Sequence, residues 1–262
     1  MNLIPIVIPY YKAPEKLKKC LGHIKAQLYS SIETFVRDNS EDNIYYTAAV
    51  NEGLLKYAFR DDVQYILVLN QDAYLEPDAV EMLVQFMDEQ PDCGIGCPLQ
   101  VDSNWSVTWG GSLNAFPAGK HKGGDISNFT EPAACYWANG ACMMIRTSVI
   151  KEIGVFDKNM RFICSDSDFS FTARSRGWHV CVVPSAICEH SPGAAGSLSN
   201  TPLEIIKLGD IQYFLKKWLS ADLYKELALE GPELTKEFIN QYSIDLANGI
   251  ARLKAQTSPV SS

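Results

Sequence analysis

The chain has 262 residues, 47% of them hydrophobic and 21% charged, with a formal net charge of −8. Such a length and apolar content suit one large domain or one domain plus an appendage and exclude a disordered or low-complexity chain. The negative charge excludes a general nucleic-acid binder, whose affinity rests on Lys and Arg neutralising phosphates. It leaves room for a single nucleotide held through a divalent cation.

The N-terminal run Met1–Pro9 is apolar but short and lacks a basic leader, so it reads as a first strand and not as a signal peptide. No run approaches the roughly 18 apolar residues of a membrane span. Leu3–Pro9 ends in Pro9-Tyr10-Tyr11, and Pro14 then opens a helical pattern through Leu28, with Leu17, Cys20, Leu21, Ile24 and Leu28 three and four apart. Glu33–Arg37 is a second strand stopping at Asp38-Asn39-Ser40, and Tyr46–Ala58 is a helix. Val63–Leu69 is a third strand stopping at Asn70-Gln71-Asp72, and Glu76-Pro77-Asp78 starts a helix through Met87. Strands alternating with helices at this pace predict βαβ units, an α/β fold and a mostly parallel sheet.

Residues 98–135 are less regular, and the loop Gly119-Lys-His-Lys-Gly-Gly124 is either a lid or a surface excursion. The segment 137–190 carries Trp137-Ala-Asn-Gly, Gly154-Val-Phe-Asp157, Ser165-Asp-Ser-Asp168, the apolar run Val180–Ile187 and then Glu189-His190. Leu203–Leu219 has one apolar helical face, and Ala221–Ile250 is helical with an interruption at Gly231-Pro232. The domain division that follows is 1–220 for the α/β unit and 221–262 for a C-terminal helical extension and tail. The eight cysteines Cys20, Cys93, Cys97, Cys135, Cys142, Cys164, Cys181 and Cys188 include no Cys-x-x-Cys pair, and nothing completes a zinc set around Cys93 and Cys97. Reduced thiols in apolar runs predict a reducing, cytoplasmic setting.

Ligands of parallel sheets gather at the carboxyl ends of the strands, where Asp38 and Asp72 would both lie. Each could instead cap the next helix or make the turn, a reading that fits Asp38 better than Asp72. Transfer of a sugar from a nucleoside diphosphate asks for a cation on the leaving diphosphate and a base for the incoming hydroxyl. Asp72 and His190 are candidate ligands for magnesium or manganese. Asp166 is the candidate base, although Ser165 or Asp166 could instead cap a helix. A lone His at a strand end is placed to bind a ligand or to titrate, and can also be structural. Trp109, Trp137 and Trp178 could stack on sugar faces or lie in the core.

In these residues the chain resembles the inverting family 2 glycosyltransferases of the GT-A fold, within them the rhamnosyltransferase-like bacterial branch, from about residue 3 to residue 220. Pro9-Tyr10-Tyr11 looks like the first motif and Asp38-Asn39-Ser40 like a turn whose Asp contacts the nucleobase. Asn51-Glu-Gly53 is similar to an Asn-x-Gly segment. Asn70-Gln71-Asp72 stands where the family has Asp-x-Asp, which implies a metal on Asp72. Asn139-Gly140-Ala141 through Phe156-Asp157 is similar to the stretch beside donor sugar and acceptor. Ser165-Asp166-Ser167-Asp168 is similar to Glu-Asp-x-Asp, which implies that Asp166 is the base. His190, Gly193 and Ser197 look like His-x-x-Gly-x-Ser, which implies that His190 approaches metal and diphosphate. The resemblance therefore implies donor contacts from Pro9, Tyr11, Asp38, Asn51, Asn70, Asp72, Asn139 and Gly140. It further implies acceptor or supporting roles for Trp137, Ser165 and Asp168, and a divalent cation, Mn2+ or Mg2+, on Asp72 and His190.

Three departures stand out: Asn70 for the first carboxylate, Ser165 for the Glu before the base, and Thr172 for an Arg on the following helix. The implied partners are a nucleoside diphosphate sugar (dTDP-rhamnose or a UDP-sugar) and a glycan or lipid-linked glycan acceptor, with peripheral membrane contact and a homodimer both open. The rival class is a GT-A nucleotide-sugar or glycan-binding protein without turnover. A dehydrogenase or nucleotidyltransferase would need the Gly-rich phosphate loop that is missing after the first strand.

Overall fold

Period-2 alternation in the apolar strands sends successive side chains to opposite faces, and both faces are covered. A computed structural model describes residues 2–112, 121–191, 201–218 and 236–257. The first half alternates β1 (Ile4–Tyr10), α1 (Pro14–Lys25), β2 (Ile32–Asp38), α2 (Tyr45–Tyr57), β3 (Tyr65–Leu69), β4 (Tyr74–Leu75) and α3 (Ala79–Glu89). The second half follows with β5 (Cys93–Val101), β6 (Val107–Trp109), β7 (Ala133–Ala134), β8 (Cys142–Arg146), α4 (Thr147–Ile153), α5 (Ser165–Arg174), β9 (His179–Glu189), α6 (Thr201–Trp218) and α7 (Lys236–Thr257).

The sheet runs β2-β1-β3-β8-β5-β9-β4, with β6 on β5 and β7 on β9. β1 is parallel to β2 and β3, and β5 is parallel to β9. β8 lies between the two groups and is antiparallel to both β3 and β5. β1, β2, β3, β5 and β9 therefore point one way, in the mostly parallel sheet the sequence predicted, while β8 and the two- and three-residue strands β4, β6 and β7 run against their partners. The reversal has a consequence for the site: the start of β8 lies at the same edge as the ends of β1, β2, β3, β5 and β9, because Leu69 pairs with Cys142 and Val101 with Glu189.

On one face Ile4, Ile6, Ile8, Leu67 and Met144 pack with Cys20 and Ile24 of α1 and Leu83 and Met87 of α3. On the other, Val7, Ile66, Val68 and Ile145 pack with Leu54 of α2, Ile150 of α4 and Phe169 of α5. A third cluster joins Trp137, Cys164 and Phe171 to Phe214, Leu215 and Trp218 of α6 and Leu246 of α7. The C-terminal helices thus share a core with the segment around Asp166. No helix among the described residues is long and apolar enough to cross a membrane, and all eight cysteines are free.

α1 ends at Lys25 and not at Leu28. The Gln27 side chain donates to the Glu76 carbonyl at 2.8 Å, and Leu28 N–H donates to the Pro77 carbonyl at 2.8 Å, which turns the chain away and leaves Leu28 exposed. The lid-or-excursion loop is described only from His121, where Ser112 bridges to His121 and Val107 to Gly124, extending the β6 edge. Gly231-Pro232 lies outside the described residues.

Gly53 explains part of the Asn-x-Gly segment: a Cβ there would stand 2.4 Å from Val7 Cγ1 and 3.1 Å from Phe35. Gly53→Ala should therefore lower stability by about 1–3 kcal/mol through overpacking of α2 on β1, even after the helix-propensity gain. Gly22→Ala in α1, where nothing lies within 4 Å, should raise stability by about 0.5–1 kcal/mol. Urea denaturation of both variants checks the pair, and equal effects would contradict the packing described.

Candidate functional site

Polar residues stand at or just after several strand ends along one edge of the sheet, among them Asp38, Asn70, Asp72 and His190, and the turns there are tied together by side chains. Asn70 N–H donates to the Ala141 carbonyl at 2.8 Å, joining the end of β3 to the start of β8. The Gln71 amide closes the gap to β1, accepting from Tyr11 N–H at 2.8 Å and donating to the Tyr11 carbonyl at 3.2 Å. With Gln71 so engaged, Asp72 is the carboxylate of its turn. Its Oδ2 lies 3.2 Å from Lys16 Nζ and its Oδ1 lies 3.9 Å from His190 Nε2. The half-buried Asn70 side chain has no hydrogen-bond partner among the described residues.

His190 is held at three points. Its N–H donates to the Val101 carbonyl at 2.8 Å, its carbonyl accepts from the Thr108 hydroxyl at 3.1 Å, and its Nδ1 lies 3.2 Å from Gln100 Oε1. Burial holds its pKa below the usual imidazole value, against the pull of Asp72 in the other direction. The ring is therefore neutral at pH 7, the form that binds metal. Gln100 itself is buried in β5, and its Nε2 has no partner among the described residues. An orphaned buried donor costs about 1–3 kcal/mol.

Asp166 stands in the first turn of α5. Its Oδ2 accepts from Gly140 N–H at 2.9 Å and its Oδ1 from Ser167 N–H at 2.8 Å. Tyr46 of α2 donates to the Gly140 carbonyl at 2.7 Å. A Cβ on Gly140 would lie 2.5 Å from the Tyr46 hydroxyl and 3.1 Å from Asp166 Oδ2, so only glycine fits this junction. Burial raises the Asp166 pKa above the usual carboxylate value, while the Gly140 and Ser167 N–H groups pull it back. Neither Ser165 nor Asp166 caps α5. The N-cap is Cys164, with no side-chain cap bond and a left-handed φ of 69°, a conformation costing about 1–2 kcal/mol for a non-glycine residue. Ser165 is buried and shares a 2.8 Å hydrogen bond with Thr47 of α2.

Other expected residues divide plainly. Asp38 stands at the end of β2, exposed, its Oδ1 accepting from Ser40 N–H at 2.8 Å. That turn, assisted first by the Ser40 hydroxyl, lowers its pKa. Pro9 is the next-to-last residue of β1, opposite Arg37, and Tyr10 stands opposite Asp38. Asn139 makes a local turn, its Oδ1 accepting from Ala141 N–H at 2.9 Å. Trp137 is buried and its ring lies 5.5 Å from that of His121. Asn51, expected at the donor, has both ends of its amide on Phe156: Nδ2 donates to the carbonyl at 2.8 Å and Oδ1 accepts from N–H at 3.0 Å. Asp168 faces away from Asp166 toward α6, paired with Lys217 at 2.8 Å and with Trp218 Nε1. Trp109 is fully buried, and Trp178 donates to Glu152 at 2.8 Å just before the start of β9, the opposite edge from Asp72. Gly193 and Ser197 lie outside the described residues.

Two residues not singled out in the sequence matter here. His121 lies close enough to His190 and Asp166 for their charges to interact. Asp210 of α6, buried, accepts from three successive N–H groups: Arg161 at 3.0 Å, Phe162 at 2.7 Å and Ile163 at 3.0 Å. It thereby fixes the loop that leads into Cys164 and Asp166. No periodicity signal marks it, since one acid on an amphipathic helix reads as a solvated face. Asp210→Ala leaves three backbone donors unsatisfied and should lower stability by roughly 3 kcal/mol or more, with Asp210→Asn losing less. Urea unfolding of the two variants checks this, and a loss under about 1 kcal/mol for Ala would contradict the role given to Asp210.

The geometry can be set beside known proteins. The model of the glycosyl transferase family group 2 matches residues 65–219, from β3 through the site to the end of α6. Among solved structures, S. aureus TarS superposes with a TM-score of 0.56 at 14% identity, covering 94% of this chain and 43% of TarS. GalNAc-T7, crystallised with UDP, GalNAc and Mn2+, superposes with a TM-score of 0.59 at 11% identity, covering 98% of this chain and 59% of that one. The chain thus spans about half the length of these structures, and at such identities the likeness is one of fold, the GT-A fold. No curated protein matches in sequence. With the family model covering more than half of its length, from Tyr65 of β3 onward, the chain belongs to the glycosyl transferase family group 2.

Proposed function

We propose that the protein is an inverting glycosyltransferase that moves a sugar from a nucleoside diphosphate sugar, a UDP- or dTDP-sugar, to a hydroxyl of a glycan or lipid-linked glycan. The observation that carries this reading is Asp166: a carboxylate with a burial-raised pKa, fixed by two backbone N–H groups and standing at the edge where Asp72 and His190 meet. A base needs orientation and a pKa closer to working pH than a solvated Asp has. The acceptor hydroxyl would lose its proton to Asp166 and attack the anomeric carbon opposite the leaving diphosphate. One displacement inverts that centre. Asp38, in the turn after β2, would face the nucleobase.

Asp72 and His190 would hold a divalent cation, Mn2+ or Mg2+. One carboxylate oxygen and one neutral imidazole nitrogen facing each other at 3.9 Å suit such an ion. No group of three His, Cys, Asp or Glu forms a metal cluster among the described residues, so diphosphate oxygens and water would supply the other positions. When bound, the cation neutralises charge growing on the leaving diphosphate. Lys16, on the second Asp72 oxygen, would turn to the diphosphate or share the carboxylate. The ion pair also favours a second reading, a nucleotide-sugar binder without turnover, because Lys16 already neutralises Asp72 and Asn70 adds no charge beside it.

The test is thermal stabilisation by UDP and dTDP, with and without manganese. A nucleotide at about 100 times its dissociation constant should add roughly 2.7 kcal/mol. The expected result is a manganese-dependent shift that Asp72→Ala abolishes; no shift with either nucleotide would overturn the donor site. Asp166→Asn should keep that shift and lose about 10²–10⁴-fold in turnover, whereas turnover within a fewfold of wild type would remove Asp166 as base. Because the base must be ionised and its pKa is raised, the rate of the wild type should fall as pH drops through a value above the ordinary carboxylate range.

A further inference from the structure

We propose that Gln100 is a positioning residue that holds the His190 ring in the tautomer leaving Nε2 unprotonated toward Asp72. The inference deepens the proposed cation site and rests on it. β5 is buried at every residue, and Gln100 lies between Leu99 and Val101 with Cys188 on one side and Trp109 on the other. A leucine would fill the position without burying an amide. The amide gains little for the fold, since its Nε2 has no partner among the described residues, and neither has the neighbouring Trp109 Nε1. What it does make is the 3.2 Å contact from Oε1 to His190 Nδ1.

The main chain of His190 is already fixed by Val101 and Thr108. The ring's rotation and its proton are what remain for Gln100 to decide. An amide oxygen only accepts, so Nδ1 carries the hydrogen and the lone pair falls on Nε2, the atom 3.9 Å from Asp72 Oδ1. Outer partners of metal-binding histidines act in this way, and their loss weakens metal affinity about 10–100-fold.

The experiment is 15N NMR of the histidine side chains in the metal-free protein. There are four histidines, and the His190→Asn variant assigns the one of interest. Wild type should show His190 protonated at Nδ1 and bare at Nε2. Gln100→Leu should shift the ring toward the Nε2–H form that free imidazole side chains prefer, with a melting temperature equal to or above wild type. Gln100→Glu, whose ionised carboxylate can only accept, should restore Nδ1–H. In the same preparations manganese-dependent binding of UDP should weaken about tenfold or more in the Leu variant. An Nε2–H ring in wild type, or one tautomer in all three proteins, would overturn the proposal. A wild type with Nδ1–H and no manganese-dependent nucleotide binding would overturn the donor site while leaving Gln100's control of the ring standing.

Discussion

The contact between Gly140 and Asp166 is the joint on which the site depends. It brings the loop before β8 against the first turn of α5, with the Gly140 N–H on Asp166 and the Tyr46 hydroxyl on the Gly140 carbonyl. No side chain larger than hydrogen fits between them. Because β8 runs against its neighbours, that loop emerges at the edge where the parallel strands end. The antiparallel β8, set between the parallel strands β3 and β5, thus brings the Gly140 loop and the α5 carboxylate it holds to the edge where β3 and β9 end.

Around this joint the polar residues fall into two groups. One group ties segments together and has its hydrogen-bonding capacity engaged: Gln71 on Tyr11, Asn51 on Phe156, Thr47 with Ser165, Asp210 on residues 161–163, and Lys217 between Asp157 and Asp168. The other group is Asp72, His190 and Asp166, each partly buried at the edge where the parallel strands end. The ties come from distant parts of the chain, and α6 contributes two of them. This arrangement makes the C-terminal helices part of the support beneath Asp166, reached through Phe171, Phe214 and Trp218. Left-handed Cys164 is the local strain at the entry to α5, offset by that support.

Much of the scaffold was legible because apolar periodicity is strong where a strand is buried on both faces. The first three strands and their helices fall within a few residues of where spacing placed them, and α6 likewise. The strand edge holding Asp38, Asp72 and His190 was legible for the same reason, since parallel strands put their ends together. What spacing could not convey was use. Asn51 and Gln71 are identical in kind to ligand-binding amides, and only their partners, Phe156 and Tyr11, mark them as ties. Asp168 resembles Asp166 in sequence, yet two helical positions turn it onto Lys217. Asp210 and Gln100 carry no local signal, because the groups they hold are 47 to 49 and 90 residues away. The middle segment was irregular in sequence since its strands β6 and β7 have only three and two residues, too few for a period to show.

In the proposed reaction Asp166 is a base serving a single displacement at the anomeric carbon. The most direct measurement is 1H NMR of the first-formed sugar when a bound nucleotide sugar is slowly hydrolysed by the protein, taken before mutarotation. A single displacement by base-activated water predicts the anomer opposite in configuration to the donor. Release of the same anomer as the donor would contradict the account and point to chemistry in which Asp166 is not the base.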